Sequence, residues 1–179
     1  MNQYPVLFTA QLILRKLDPD DIPALVKYAN NRNVSRYILN IPYPYQEPDA
    51  VFRLSYILQG FKSKSRYIFA IILKESGEMI GEISFHLDSV RPVAQLAYWV
   101  GEPFWGQGIA TAAIAAMLKF GFTVLKLDLI FATCDQENTA SGRVLEKNGM
   151  QKGTPAGTVD QYTITQLSFL GLESNTENV

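Results

Sequence analysis

Gly106 and Gly108 stand between a strand-like run, Ala94 to Val100, and a stretch from about Gly108 to Leu125 in which alanine and leucine recur. Alanine and leucine have high helical propensity, so this stretch reads as a helix. The apolar run Leu127 to Thr133 follows and reads as a buried strand. Returning from the first strand to the second needs a crossover of a dozen or more residues, which makes them parallel neighbours. The order strand, glycine loop, helix, strand is a βαβ unit, and it commits the chain to a mixed α/β fold.

The other elements gather around that unit. Thr9 to Leu17 reads as a strand closed by Asp18-Pro19, and a first helix follows, with Asp18 as its cap, Pro19 at its first position and Leu25, Val26 and Ala29 as its apolar stripe. It fades near Asn30-Asn31. Arg36 to Pro48 holds three prolines and reads as an irregular loop carrying Tyr37, Tyr43 and Tyr45, ahead of a helix over Asp49–Phe61. Tyr37 and Tyr43 are candidate substrate contacts, since long loops in compact domains are often functional, although tyrosines there also cap cores. Tyr67–Leu73 and Met79–Leu87 form a hairpin about Ser76-Gly77. Asn138 opens a last helix that Gly149 stops, Val159 to Phe169 reads as a final strand, and the tail after about residue 171 is expected to fray.

At 179 residues, with 47% hydrophobic and 18% charged residues, the chain has the size and composition of one globular domain over 1–179. A formal charge of −1, without runs of like charge, gives no footprint for nucleic acid. One cysteine, Cys134, and one histidine, His86, make neither an internal disulfide nor a zinc cage, so no metal is expected. With no signal-like N-terminus and no apolar run of about 18 residues, the reading is a cytoplasmic protein away from membranes.

Glycines at 106 and 108 with alanine at 110 keep bulk away from a helix start, where unpaired N–H groups and the positive end of the helix dipole collect anions. Several amides there can converge on a diphosphate without a basic side chain. A tight turn packing helix against strand uses the same residues. A dinucleotide fingerprint would need a third glycine where Thr111 stands, and a P-loop would need Gly-Lys-Ser/Thr, which is absent.

Five stretches in this order resemble the GNAT acetyltransferases, and most closely the branch that contains ribosomal-protein N-terminal acetyltransferases. They are Leu12-Ile13-Leu14-Arg15-Lys16-Leu17 followed by Asp21; Ile80-Gly81-Glu82-Ile83; Ala97-Tyr98-Trp99-Val100; Phe104 to Thr111; and Asn138 to Met150. The resemblance spans nearly the whole chain. It implies a GNAT fold, a mostly antiparallel mixed sheet of about seven strands with a splayed parallel pair and about four flanking helices. It also implies acetyl-CoA as cosubstrate, with pantetheine along the Ala94–Val100 strand, the acetyl group near Trp99 and Val100, and pyrophosphate on Gln107, Gly108, Ile109, Ala110 and Thr111. Trp105 stands where the family loop begins with Gln or Arg. Asn138 is carried over as a CoA contact and Ser141 as the hydroxyl that protonates the departing thiolate.

The same family geometry makes the backbone N–H of Val100 the oxyanion donor. A base is harder to find, because Gln95, which cannot take a proton, begins the strand where the branch often has glutamate. Glu82, Ser84 and His86 alternate onto one face of the preceding strand; His86 is the best local base candidate, with a hydrogen-bonded structural histidine as the other reading, and Glu82 a candidate acceptor contact. An α-amine, with a pKa near 7.7 to 8.0, is roughly 10 to 20% neutral at pH 7, and a lysine amine under about one in a thousand. A site without a strong base therefore favours an α-amine or small-molecule amine, with a ribosomal or other protein N-terminus as the partner and a monomer or homodimer as the assembly. A non-catalytic CoA-binding or interaction module is the second reading, separated from the first by thiol release with amines.

Overall fold

The computed structural model describes residues 3–38, 41–155 and 157–176. Two short strands, β1 (Leu7–Phe8) and β2 (Leu12–Arg15), precede three helices: α1 (Ile22–Ala29), α2 (Arg32–Ser35) and α3 (Glu47–Lys62). The strands β3 (Arg66–Leu73), β4 (Met79–Leu87) and β5 (Val93–Val100) lead to α4 (Ile109–Thr123) and β6 (Leu129–Asp135). Helix α5 (Thr139–Lys147), strands β7 (Gln151–Lys152) and β8 (Val159–Thr165), and helix α6 (Gln166–Thr176) complete the described chain. The eight strands form one sheet in the order β1-β2-β3-β4-β5-β6-β8-β7. Every neighbouring pair is antiparallel except β5 and β6, which are parallel. This is the fold class the sequence predicts, with one more strand and two more helices among the described residues.

Strand β3 explains why the sheet is covered on both faces. Tyr67, Phe69 and Ile71 join the core under α4, where Phe120 meets the rings of Tyr67 and Phe69 edge-on at 5.5 and 5.7 Å. Ile68, Ala70 and Ile72 point the other way, into a second core with Leu25 of α1 and Ile57 of α3. A strand without polar alternation from Tyr67 to Leu73 is what burial on both faces requires. None of the helices among the described residues is long and apolar enough to cross a membrane.

Element ends show where side chains override pattern. Asp18 accepts from the Asp20 N–H at 3.2 Å and Asp21 accepts from the Asp18 N–H at 2.8 Å, so the predicted cap holds a 3-10 turn, Pro19–Asp21, ahead of α1. Strand β6 starts at Leu129 instead of Leu127, because the Leu127 N–H turns back to the Gly121 carbonyl at 3.1 Å and closes α4. The strand expected to reach Phe169 ends at Thr165, whose hydroxyl accepts from the Ser168 N–H at 3.2 Å and starts α6. That helix lays Phe169 against Phe122 at 5.0 Å and continues past residue 171, where the sequence predicts fraying.

Candidate functional site

The parallel ladder between β5 and β6 stops at Leu96 and Ala132, while β4 accompanies β5 to Val100 and β8 accompanies β6 to Asp135. Each strand follows its antiparallel neighbour, and the two part in a V. The Gly101 N–H donates to the Ile80 carbonyl at 2.8 Å, so by the alternation of antiparallel pairing the main-chain groups of Tyr98 and Val100 point away from β4, into the V. The Trp105 indole N–H donates to the Val100 carbonyl at 2.6 Å, which leaves the Val100 N–H as the donor facing the gap.

The glycine loop roofs this gap. Gly106 and Gly108 have φ of 75° and 76°, the left-handed region, and a Cβ on either would meet nothing within 4 Å. The turn therefore needs glycine for its backbone angle and not for close packing, which removes the tight-packing reading of the pair. Gly108 caps α4, whose first N–H groups have no acceptor within the helix. Ala110 and Thr111 line the cavity below; Ile109 does too, although its side chain is buried in the core, so that its backbone is what it can offer. Gln107 is exposed, donates its side-chain amide to the Pro103 carbonyl at 3.0 Å and does not line the cavity.

A single cavity of about 720 Å³ runs from this loop through the V to the far face of the sheet. On the loop side, the Asn138 side chain accepts from the Ser141 N–H at 3.2 Å and caps α5, while also lining the cavity. The Ser141 hydroxyl lies 2.8 Å from the Tyr98 hydroxyl, and burial pushes the Tyr98 phenol up to about 12. Tyr98 is a site residue the sequence reading missed; the signal was its alternation with Trp99, which turns it towards the α4 and α5 face. Burial, then the Asp160 charge, raises the neighbouring Cys134 thiol, keeping it protonated.

On the far side, Glu82, Ser84 and His86 all line the cavity from β4, as their period of two predicts. Glu82 is 2% exposed and receives the Arg53 guanidinium at 2.9 Å and the Trp99 indole N–H at 3.1 Å. The Trp99 ring thus serves the far face, and by the same alternation its main-chain groups face β4 and not the V. Burial first, then Arg53 and Arg66, pull the His86 pKa below its usual value, so the imidazole is neutral at pH 7; its Nε2 lies 3.3 Å from the Ser84 hydroxyl. Gln95 reaches across to the Thr133 hydroxyl at 3.3 Å. Tyr37 lines this arm beneath the Arg36 guanidinium, whereas Tyr43 is half exposed, stacks with Arg32 and does not reach the cavity. The far arm is formed by residues 33–38, Ile41, α3 and β4, and no described residue of β7 or β8 lines it.

The acetyltransferase (GNAT) domain family model matches residues 11–151. The uncharacterised N-acetyltransferase p20 of Bacillus licheniformis is 32% identical over 150 residues, covering 82% of each chain. Two solved structures share the fold at low identity. A ribosomal L7/L12 alpha-N-protein acetyltransferase in complex with coenzyme A superposes with a TM-score of 0.79 at 19% identity, covering 90% of this chain and 98% of that one. A spermidine N-acetyltransferase from Vibrio cholerae, in complex with CoA and spermine, does so with 0.75 at 22%, covering 90% and 99%. The V between β5 and β6, the glycine-capped helix above it and the family match across both agree: this chain belongs to the GNAT family of N-acetyltransferases.

Proposed function

We propose that the protein transfers the acetyl group of acetyl-CoA to a primary amine, an N-terminal α-amine or that of a small molecule, by direct attack within a ternary complex. The observation that carries this reading is the cavity that passes through the V, open to an amide cradle at one end and to a polar arm at the other. The amides of Gly108 to Thr111 take the pyrophosphate, and the main-chain groups of Tyr98, which face away from β4, take the pantetheine amides as an added strand would. The Val100 N–H then faces the thioester carbonyl. Ser141, held by Tyr98, protonates the departing thiolate on the loop side. On the far side Glu82 is ion-paired with Arg53 and holds the Trp99 indole, which suits it to accept a hydrogen bond and not a proton and leaves neutral His86, directly or through water, to take the proton from the amine. Without a strong base, the α-amine is the better acceptor because more of it is neutral at pH 7.

The test is thiol release from acetyl-CoA with a panel of peptides, polyamines and amino acids. Turnover is expected with α-amines above lysine side chains. Tight CoA binding with no turnover across the panel would instead identify a CoA-binding module, and preference for lysine over every α-amine would overturn the acceptor class.

A further inference from the structure

We infer that the acceptor carries a carboxylate close to its reactive amine, and that a polyamine is a poor fit. This rests on the amine-acetylation reading and adds the charge of the acceptor. The far arm is lined by two guanidinium groups, Arg36 and Arg53, and one carboxylate, Glu82, with a third guanidinium, Arg66, behind Tyr56. Arg53 is paired with Glu82. Arg66 lies 3.8 Å over the Tyr56 ring, with its buried Nε lacking any hydrogen-bond partner, and Arg36 lies 4.5 Å over the Tyr37 ring. Among the described residues no carboxylate pairs with Arg36 or Arg66. Glu102, which bonds to Asn33 of this arm, does not line the cavity and is occupied by the side-chain amides of Asn31 and Asn33 at 2.6 and 2.8 Å.

Arg36 lines the arm through which the amine arrives, and Arg66 stands behind it, over the Tyr56 ring and opposite His86, both of which line the cavity. The Arg66 charge is felt inside, since with Arg53 it helps to depress His86. Glu82 Oε1 is engaged only by Arg53 Nε at 3.3 Å and keeps room for one incoming N–H beside the Trp99–Val100 edge. An amine bound there directs the rest of its molecule towards Tyr37 and Tyr56. A carboxylate at that distance meets guanidinium groups with planar donor pairs to match it, whereas a second ammonium meets like charge with no compensating acid. The carboxylate could belong to a free amino acid or to an acidic residue at the second or third place of a peptide.

The kcat/KM values for the tripeptide amides Ser-Asp-Glu and Ser-Lys-Lys, for serine against serinamide, and for spermidine test this. The acidic peptide is expected to exceed the basic one by about tenfold, a ratio a single charge contact in a half-open site supplies. R36Q and R66Q, checked for unchanged CoA affinity and melting temperature, should each narrow that ratio to about threefold. R36Q, at a loop position, decides if R66Q does not fold. A large serine to serinamide ratio with a flat peptide ratio assigns the carboxylate to free amino acids; the reverse assigns it to peptides. Equal or reversed ratios in both arms, or spermidine as the best acceptor, overturn the inference. If nothing turns over although CoA binds, the transferase reading fails separately. Calorimetric binding of the same peptides to the CoA-loaded protein then decides the charge inference by the same order.

Discussion

Tyr98 and Ser141 meet at 2.8 Å across 43 residues of sequence, one projecting from β5 and the other from the first turn of α5. The two hydroxyls do not share the work equally. Ser141 stands on a capped helix start lining the CoA end of the cavity, while the half-buried Tyr98 phenol keeps its proton up to about pH 12. Tyr98 is therefore a positioning residue that orients the serine hydroxyl. Ser141→Ala is expected to lower kcat by about 10²-fold, the lower range for loss of a general acid, with KM for acetyl-CoA within about threefold of the parent. Tyr98→Phe should lower kcat by only about tenfold. Steady-state kinetics at saturating amine read both, and the reverse ranking would transfer the acid role to Tyr98. The motif around Asn138 made Ser141 legible in the sequence, but nothing along the chain links it to Tyr98, because only the fold sets β5 beside α5. Gly81 was legible as part of a motif yet not for its reason: a Cβ there would stand 2.3 Å from the Trp99 carbonyl oxygen, so glycine lets β4 approach the edge that carries the site.

At the scale of elements, the start of α4 is where sequence and structure agree most closely. Positive φ at Gly106 and Gly108 has a compositional signature, since other residues pay about 1–2 kcal/mol for that conformation. Continuous apolar runs likewise revealed β3 and β6, although β6 begins two residues later than the run does. Alternation misled at the end of β8, where Leu167 and Phe169 continue a strand-like pattern but the Thr165 hydroxyl has already begun a helix that leaves Leu167 exposed and buries Phe169. The Arg53–Glu82 pair was invisible in the sequence because α3 and β4 meet only once the sheet has formed. The loop itself gives the element-scale prediction. In Gly108→Val the side chain has open space but an unfavourable φ, so the first turn of α4 relaxes and its amides lose their common aim. KM for acetyl-CoA is expected to rise about tenfold, kcat at saturation to change by less than about threefold, and stability to fall by about 1–2 kcal/mol. A KM that does not move would place the pyrophosphate elsewhere.

For the whole molecule, the sheet separates two cores and the cavity pierces it between β5 and β6, so the charges on the far face are linked to global stability. His86 is the group through which that linkage shows near neutral pH. It is flanked by Arg66 across β3 and by Gln95 across β5, and it lies within the fields of Arg53 and Arg66. Burial and both cations depress its pKa in the folded state, whereas in the unfolded chain it titrates near 6.5. Between those two values the unfolded chain binds more protons, so stability rises with pH there. The contribution is therefore full above about pH 6.5 and is lost progressively as pH falls towards the folded-state value, below which no more is lost. Carboxylates elsewhere also weaken the fold in acid, and a His86→Gln comparison removes their share. Urea unfolding at pH 7.5, 6.5 and 5.5 should show the parent losing more stability than His86→Gln over this interval, with equal m-values. Parallel curves would mean that His86 is as free to charge in the folded protein as in the unfolded chain, and its place as the neutral acceptor of the amine proton would fall with that result.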